Sequence, residues 1–189
     1  MVFLFFWTRT FGNILIRLGA GNGWAHYGPE VSFINGNRRA YAIIGVGTDD
    51  AGMPVFCKDW VLPLIIHEFA HSFANQLIDK NIDSLRASGE KIFAVVEDAM
   101  RRQFYDNWIT MMYEALVRAS VVMYMKDNGF EQEQIEAEIN RQLELSWFWI
   151  EELIAKLVYY SENRNRYPTL ESFMPRIIEG YRVWARDIE

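Results

Sequence analysis

The sequence predicts an α+β chain that is mostly α: a small antiparallel sheet, then an H-E-x-x-H helix, then a helical bundle. Three observations predict this. Alternating patterns and turn residues are confined to the first third of the chain. From Asp59 to Asp79 the pattern changes to a helix that is apolar almost all round, and it carries His67-Glu68-Phe69-Ala70-His71. Everything after Asn81 reads as helix broken by short polar stretches.

The elements follow in order. Residues 2–18 are apolar with interruptions, and their aromatic and β-branched content leans towards strand. Gly19 to Gly23 is a flexible turn with no phosphate-loop signal behind it. Glu30 to Ile34 reads as a strand, Asn35-Gly36 as a type I′ hairpin turn, and Arg38 to Val46 as the partner strand. Gly45, Gly47, Asp49, Asp50 and Gly52 mark a second turn, and Met53 to Phe56 a third short strand. Asp59 is a plausible N-cap for the next helix, with Pro63 in its first turn. One helix spans 82–104, with a break suggested at Ser88-Gly89. Another spans 106–126, closed by Asp127-Asn128-Gly129. A long one spans 131–162, and Thr169 caps the last, which runs to about Arg186. The whole reads as a single domain over 1–189, with a β-rich part (1–58), metal-binding helices (59–126) and a helical C-terminal part (127–189).

Composition bounds the function. The chain has 189 residues, 51% hydrophobic and 15% aromatic, which places it among folded globular proteins. A net charge of −6 and a pI near 5.2 argue against nucleic acid as a general partner. Cys57 is the only cysteine, so an intrachain disulfide and a cysteine-rich zinc finger are both excluded. Val2 to Trp7 is strongly apolar but lacks the basic start and small-residue cleavage site of a signal peptide; it reads as core-forming. No run approaches the roughly 18–20 apolar residues of a membrane span.

The chemistry concentrates on one helix. Positions i and i+4 share a helix face, so His67 and His71 aim two imidazoles at one point. Glu68 lies about 100° further round, beside that point, where it can take a proton from a water. The expected cofactor is Zn2+, which accepts imidazole nitrogens and needs a third protein ligand when catalytic. Two core histidines and a stray Glu are the bland alternative. It requires burying polar groups in an apolar helix at a cost of several kcal/mol. His26 reads as a loop histidine rather than a ligand.

Glu114 is the leading third ligand. Between Trp108 and Met125 the only charged residues are Glu114 and Arg118. A lone carboxylate there needs a strong partner. The i,i+4 spacing also allows Glu114 and Arg118 to pair with each other. The two readings coexist if Arg118 orients the ligand. Glu97 and Asp98 are the next candidates. Asn75, one turn beyond His71, is a candidate second-layer hydrogen-bonding group, or else a residue of the helix C-terminus. Trp147 to Trp149 reads as core.

With these residues in hand, the chain resembles the gluzincin group of zinc metallopeptidases, in which a sheet precedes the H-E-x-x-H helix and a later Glu completes the site. More narrowly, Tyr41 to Gly45 and His67 to Asn75 resemble a bacterial domain family of unknown function, described only as candidate metallopeptidases. The resemblance implies a zincin-like fold, a peptide or protein substrate, and a Tyr or His near the metal to stabilise the oxyanion. Tyr159, Tyr160, Tyr167 and Tyr181 are all available. Arg118 stands where gluzincins often place an acidic residue. The implied reaction is hydrolysis of peptide bonds by a water promoted by Glu68 and zinc, with strand Tyr41 to Val46 available to pair with an extended substrate. A catalytically inactive zincin-like binding protein and a zinc hydrolase of non-peptide amides or esters are the alternatives. The sequence leaves open the oligomeric state, and whether the chain is cytoplasmic or the trimmed part of an exported protein.

Overall fold

The computed structural model describes residues 13–19, 23, 25–55 and 58–188; the apolar start of the chain and Cys57 lie outside them. The described chain is α+β and mostly α, as expected. Among the described residues, five strands are followed by six helices: β1 Asn13–Gly19, β2 Glu30–Ser32, β3 Arg38–Gly45, β4 Gly47–Thr48, β5 Pro54–Val55, α1 Lys58–Lys80, α2 Ile82–Arg102, α3 Trp108–Asp127, α4 Gln132–Glu144, α5 Ile150–Glu162 and α6 Leu170–Asp187. The chain forms two compact units, Thr8–Phe73 and a second built on Ala74–Glu189, and α1 runs unbroken from the first into the second.

In the first unit the sheet is mixed rather than antiparallel. Its order is β1-β3-β2, with β1 parallel to β3 and β2 antiparallel to it. Alternate residues of β3 (Ala40, Ala42, Ile44) are buried, the period of a half-buried strand. Strand β3 is therefore central. β1 pairs with it along its whole length, and β2 and Tyr27 occupy its other side. The expected pairing of Tyr41 to Val46 with an extended substrate is thus ruled out, because those backbone groups are already used.

The hairpin is also built differently. Gly36 N–H bonds to Phe33 O, and only Gly36 of the Asn35-Gly36 pair has positive φ (80°). A type I′ turn needs both residues left-handed; one alone gives a type I turn with a glycine bulge. The third strand is confirmed as β5, but it pairs with β4 in a separate ribbon. There Asp49 Oδ1 accepts from the N–H groups of Ala51 and Met53.

Helix α1 starts at Lys58, so Pro63 falls in its second turn, not its first. It forfeits the bond to the Asp59 carbonyl. The helix is less buried than its composition predicts. Ile66, Ala70, Ala74 and Ile78 form an i,i+4 stripe of buried apolar residues, while Val61 to Ile65 and Phe69 are half-buried.

In the second unit, α3 is the central helix: its residues from Trp108 to Met125 are nearly all buried. Asn107 caps it, its side chain accepting from Thr110 N–H at 2.9 Å. Helix α2 is continuous through Ser88-Gly89. The glycine is there for packing, since a Cβ on Gly89 would stand 2.4 Å from the Trp108 ring. The expected 131–162 helix is two helices, α4 and α5, separated at Leu145 to Trp149. Thr169 caps α6 as expected, accepting from Ser172 N–H.

Helices α2, α3 and α4 end in the same way. Tyr105 N–H bonds to Met100 O, Phe130 N–H to Met125 O, and Trp147 N–H to Gln142 O. The residue before each is left-handed: Phe104 (φ 67°), Gly129 (72°) and Ser146 (70°). This is the Schellman termination, which glycine serves best. At Phe104 the cost of a Cβ in the left-handed region is not recovered by burial, because the side chain is 90% exposed. Phe104→Gly is expected to raise stability by about 0.5–1 kcal/mol, the relieved strain less the added chain entropy. A chemical-denaturation midpoint that moves up at unchanged slope would show it; a lower midpoint would mean that the exposed ring contributes packing.

Candidate metal centre

Helix α1 delivers His67, Glu68 and His71 as the spacing predicts. The Nε2 atoms of His67 and His71 lie 3.3 Å apart, with the rings edge to face at 76°. Both rings are half-buried and the Glu68 side chain is buried. Gly28 lies directly against this turn of helix. A Cβ on Gly28 would stand 2.0 Å from the Glu68 carbonyl oxygen, so only glycine permits the approach. Asn75 is half-buried and sits well inside α1, which continues to Lys80, so it is not a helix-terminal residue.

His26 lies in a loop, as expected. Its Nδ1 accepts the Gly45 N–H at 3.1 Å, which places the proton of the neutral ring on Nε2. Burial lowers its pKa below 6.5.

Glu114 sits in the middle of α3, 6% exposed, with Arg118 9% exposed one turn on. The pairing of Glu114 with Arg118 that the spacing allows is formed. Arg118 Nε lies 3.4 Å from Glu114 Oε2, an ion pair. The rest of the guanidinium is held by other groups. One terminal nitrogen donates to Gln142 Oε1 at 2.7 Å and the other to the Tyr105 hydroxyl at 2.8 Å. Tyr105 in turn donates to Glu114 Oε2 at 3.0 Å. The guanidinium carbon also lies 4.9 Å from the centre of the Trp147 ring. Gln142, fully buried, donates onward to Glu138, which binds Arg141 near the surface. Burial pushes the Tyr105 hydroxyl up to about 12; Arg118 pulls it down and Glu114 raises it. Tyr105 therefore stays a protonated donor at neutral pH.

Among the described residues, His67, His71 and Glu114 are the group of three His, Cys, Asp or Glu side chains that could hold a metal ion. The alternative ligands are not part of it. Asp98 is exposed, and Glu97 is paired with Arg101 at 2.8 Å.

The four tyrosines suggested by the resemblance lie in the aromatic packing of the C-terminal helices. Tyr159, Tyr160 and Tyr167 all contact the Phe173 ring, and Tyr181 packs on Trp184. Burial raises the hydroxyl pKa of Tyr160 to about 12 and also raises that of Tyr181. Trp147 and Trp149 are core, as expected, whereas Phe148 between them is 62% exposed. Sequence reasoning missed Tyr105, Gln142 and the role of Trp147. The available signal was that Glu114 and Arg118 cannot satisfy all their polar atoms by themselves.

The described residues form a mostly helical α+β protein whose first helix carries the H-E-x-x-H sequence. The model of a domain of unknown function (DUF4932) matches residues 13–180, and the chain belongs to that family. No curated protein and no solved structure matches it.

Removing one member of a buried ion pair leaves the other charge without compensation. Arg118→Met is accordingly expected to lower stability by about 3–5 kcal/mol. Arg101→Met, which breaks an exposed pair, should cost less than about 1 kcal/mol. Parallel urea titrations of the two variants would test this, and equal losses would contradict it.

Proposed function

We propose that this protein is a zinc-dependent metallopeptidase, with His67, His71 and Glu114 as metal ligands and Glu68 as the general base. The observation that carries the reading is the 3.3 Å separation of the two histidine Nε2 atoms. Two nitrogens each about 2.05 Å from a tetrahedral zinc are about 3.3 Å apart, so the pair has the span of one tetrahedral edge. The donor set, two imidazoles and a carboxylate, suits zinc and leaves a fourth position for water or substrate. A purely structural zinc site is usually closed by four protein ligands.

The metal, when bound, polarises the substrate carbonyl and lowers the pKa of a water. The chain's own residues do the rest. Glu68 accepts the proton of the attacking water and hands it to the leaving amine. Its burial beside the histidines keeps bulk water from competing for that proton. The Gly28 segment, pressed on the Glu68 carbonyl, fixes the helix turn that carries the base. Substrate specificity is not encoded in these residues, and a non-peptide amide or ester would be handled by the same groups.

Two variants separate the roles. Purified protein is expected to carry zinc, and Glu114→Ala to lose it; zinc retained in the folded variant by elemental analysis would remove Glu114 from the ligand set. Glu68→Gln is expected to keep the zinc and lose at least about a hundredfold of its peptidase activity on a mixed peptide library. Full activity in that variant would rule out Glu68 as the base.

A further inference from the structure

Glu114 offers its carboxylate from a helix, and a helical side chain with three rotatable bonds does not fix an oxygen by itself. A metal ligand gains affinity when its outer partners hold its orientation. In the second unit Glu114 accepts a hydrogen bond from the loop between α2 and α3 and faces an ion-pair partner on α3 itself. The Tyr105 hydroxyl is the node. It donates to Glu114 Oε2 and accepts from Arg118, and Arg118 is tied to Gln142 on α4.

We propose that Tyr105, anchored by Arg118 and through it by Gln142, is the positioning residue that sets the Glu114 carboxylate in its ligating orientation. The inference rests on the assignment of Glu114 as a metal ligand. The reasons are geometric. Tyr105 and Arg118 both address the same oxygen, Oε2, at 3.0 and 3.4 Å. A hydrogen bond and an ion pair on one oxygen restrict rotation of the carboxylate about its last torsion. The hydroxyl's donor and acceptor capacities are both engaged in this arrangement, so Tyr105 acts through Glu114 and not as an oxyanion donor to substrate.

The backbone is arranged to deliver the ring. Tyr105 directly follows left-handed Phe104, and Trp147 directly follows left-handed Ser146. The two rings meet edge to face, 6.0 Å between centroids, and both lie against the Arg118 guanidinium. Gln103 ties the two helix ends together, donating to Leu145 O and accepting from Trp147 Nε1. This clamp leaves Tyr105 little freedom to move away from Glu114.

The test uses Tyr105→Phe, which removes one oxygen and keeps the ring. Zinc affinity, measured by competition with a chromophoric chelator, is expected to fall about 10–100-fold. The visible absorption of the cobalt(II)-substituted protein is expected to shift in band position, a change that loss of stability alone does not produce. Gln142→Leu, which releases Arg118 without touching Tyr105 or Glu114, is expected to shift the cobalt spectrum in the same direction and serves if Tyr105→Phe does not fold. Wild-type zinc affinity and an unchanged cobalt spectrum in folded Tyr105→Phe would overturn the positioning role. Glu114→Ala run alongside distinguishes the two levels: if it also binds zinc normally, the ligand assignment fails; if it alone loses zinc, only the role of Tyr105 fails.

Discussion

A carboxylate removed from water must find a positive charge and enough donors, and Glu114 imposes that requirement on the larger unit of this protein. Its oxygen Oε2 faces Arg118 in the middle of a helix that is otherwise apolar. The guanidinium then needs partners of its own, since it carries five N–H donors and accepts nothing. Tyr105, Gln142 and the face of Trp147 supply them from three different stretches of chain. The demand passes outward through Gln142 to Glu138 and ends at Arg141, which is exposed. The loop after α2 and the corner between α4 and α5 are shaped by this chain of partners. The apolar core around them constrains volume, but the polar network constrains direction.

What could be read from the sequence depended on whether the signal was local. The i,i+4 spacing of His67 and His71 is a property of any helix, and it placed both rings correctly. Glu114 was legible because a single carboxylate between Trp108 and Arg118 stands out in an apolar run. The end of α3 was legible because Gly129 occupies its left-handed position. The end of α4 uses the same hydrogen-bond pattern with Ser146 in that position. No glycine marks it, so the pattern reads as a helix continuing to Glu162. The mixed sheet was missed for a related reason: the parallel pairing of β1 with β3 joins segments more than twenty residues apart, and nothing in either strand specifies the direction of its neighbour. Tyr105 was invisible because its role depends on two helix ends meeting, which no period in the sequence records.

Stability alone does not explain why such a network persists. A buried ion pair is often no better than well-packed apolar residues of the same volume, because the desolvation cost offsets the attraction. The two left-handed residues, Phe104 and Ser146, add about 1–2 kcal/mol each to the cost. Both precede an aromatic residue that lies on Arg118, and neither is glycine, which would hold the same backbone without that strain. A chain that needed only a core could have filled this space with leucine. The arrangement gains orientation of one carboxylate oxygen, and orientation has value where something must be bound at a fixed distance. A buried charge whose partners come from three separate stretches of chain argues that the side chain has a task beyond packing. The proposed ligand role of Glu114 is the task that this arrangement suits, and the half-buried histidines of α1 are the groups with which it would share it.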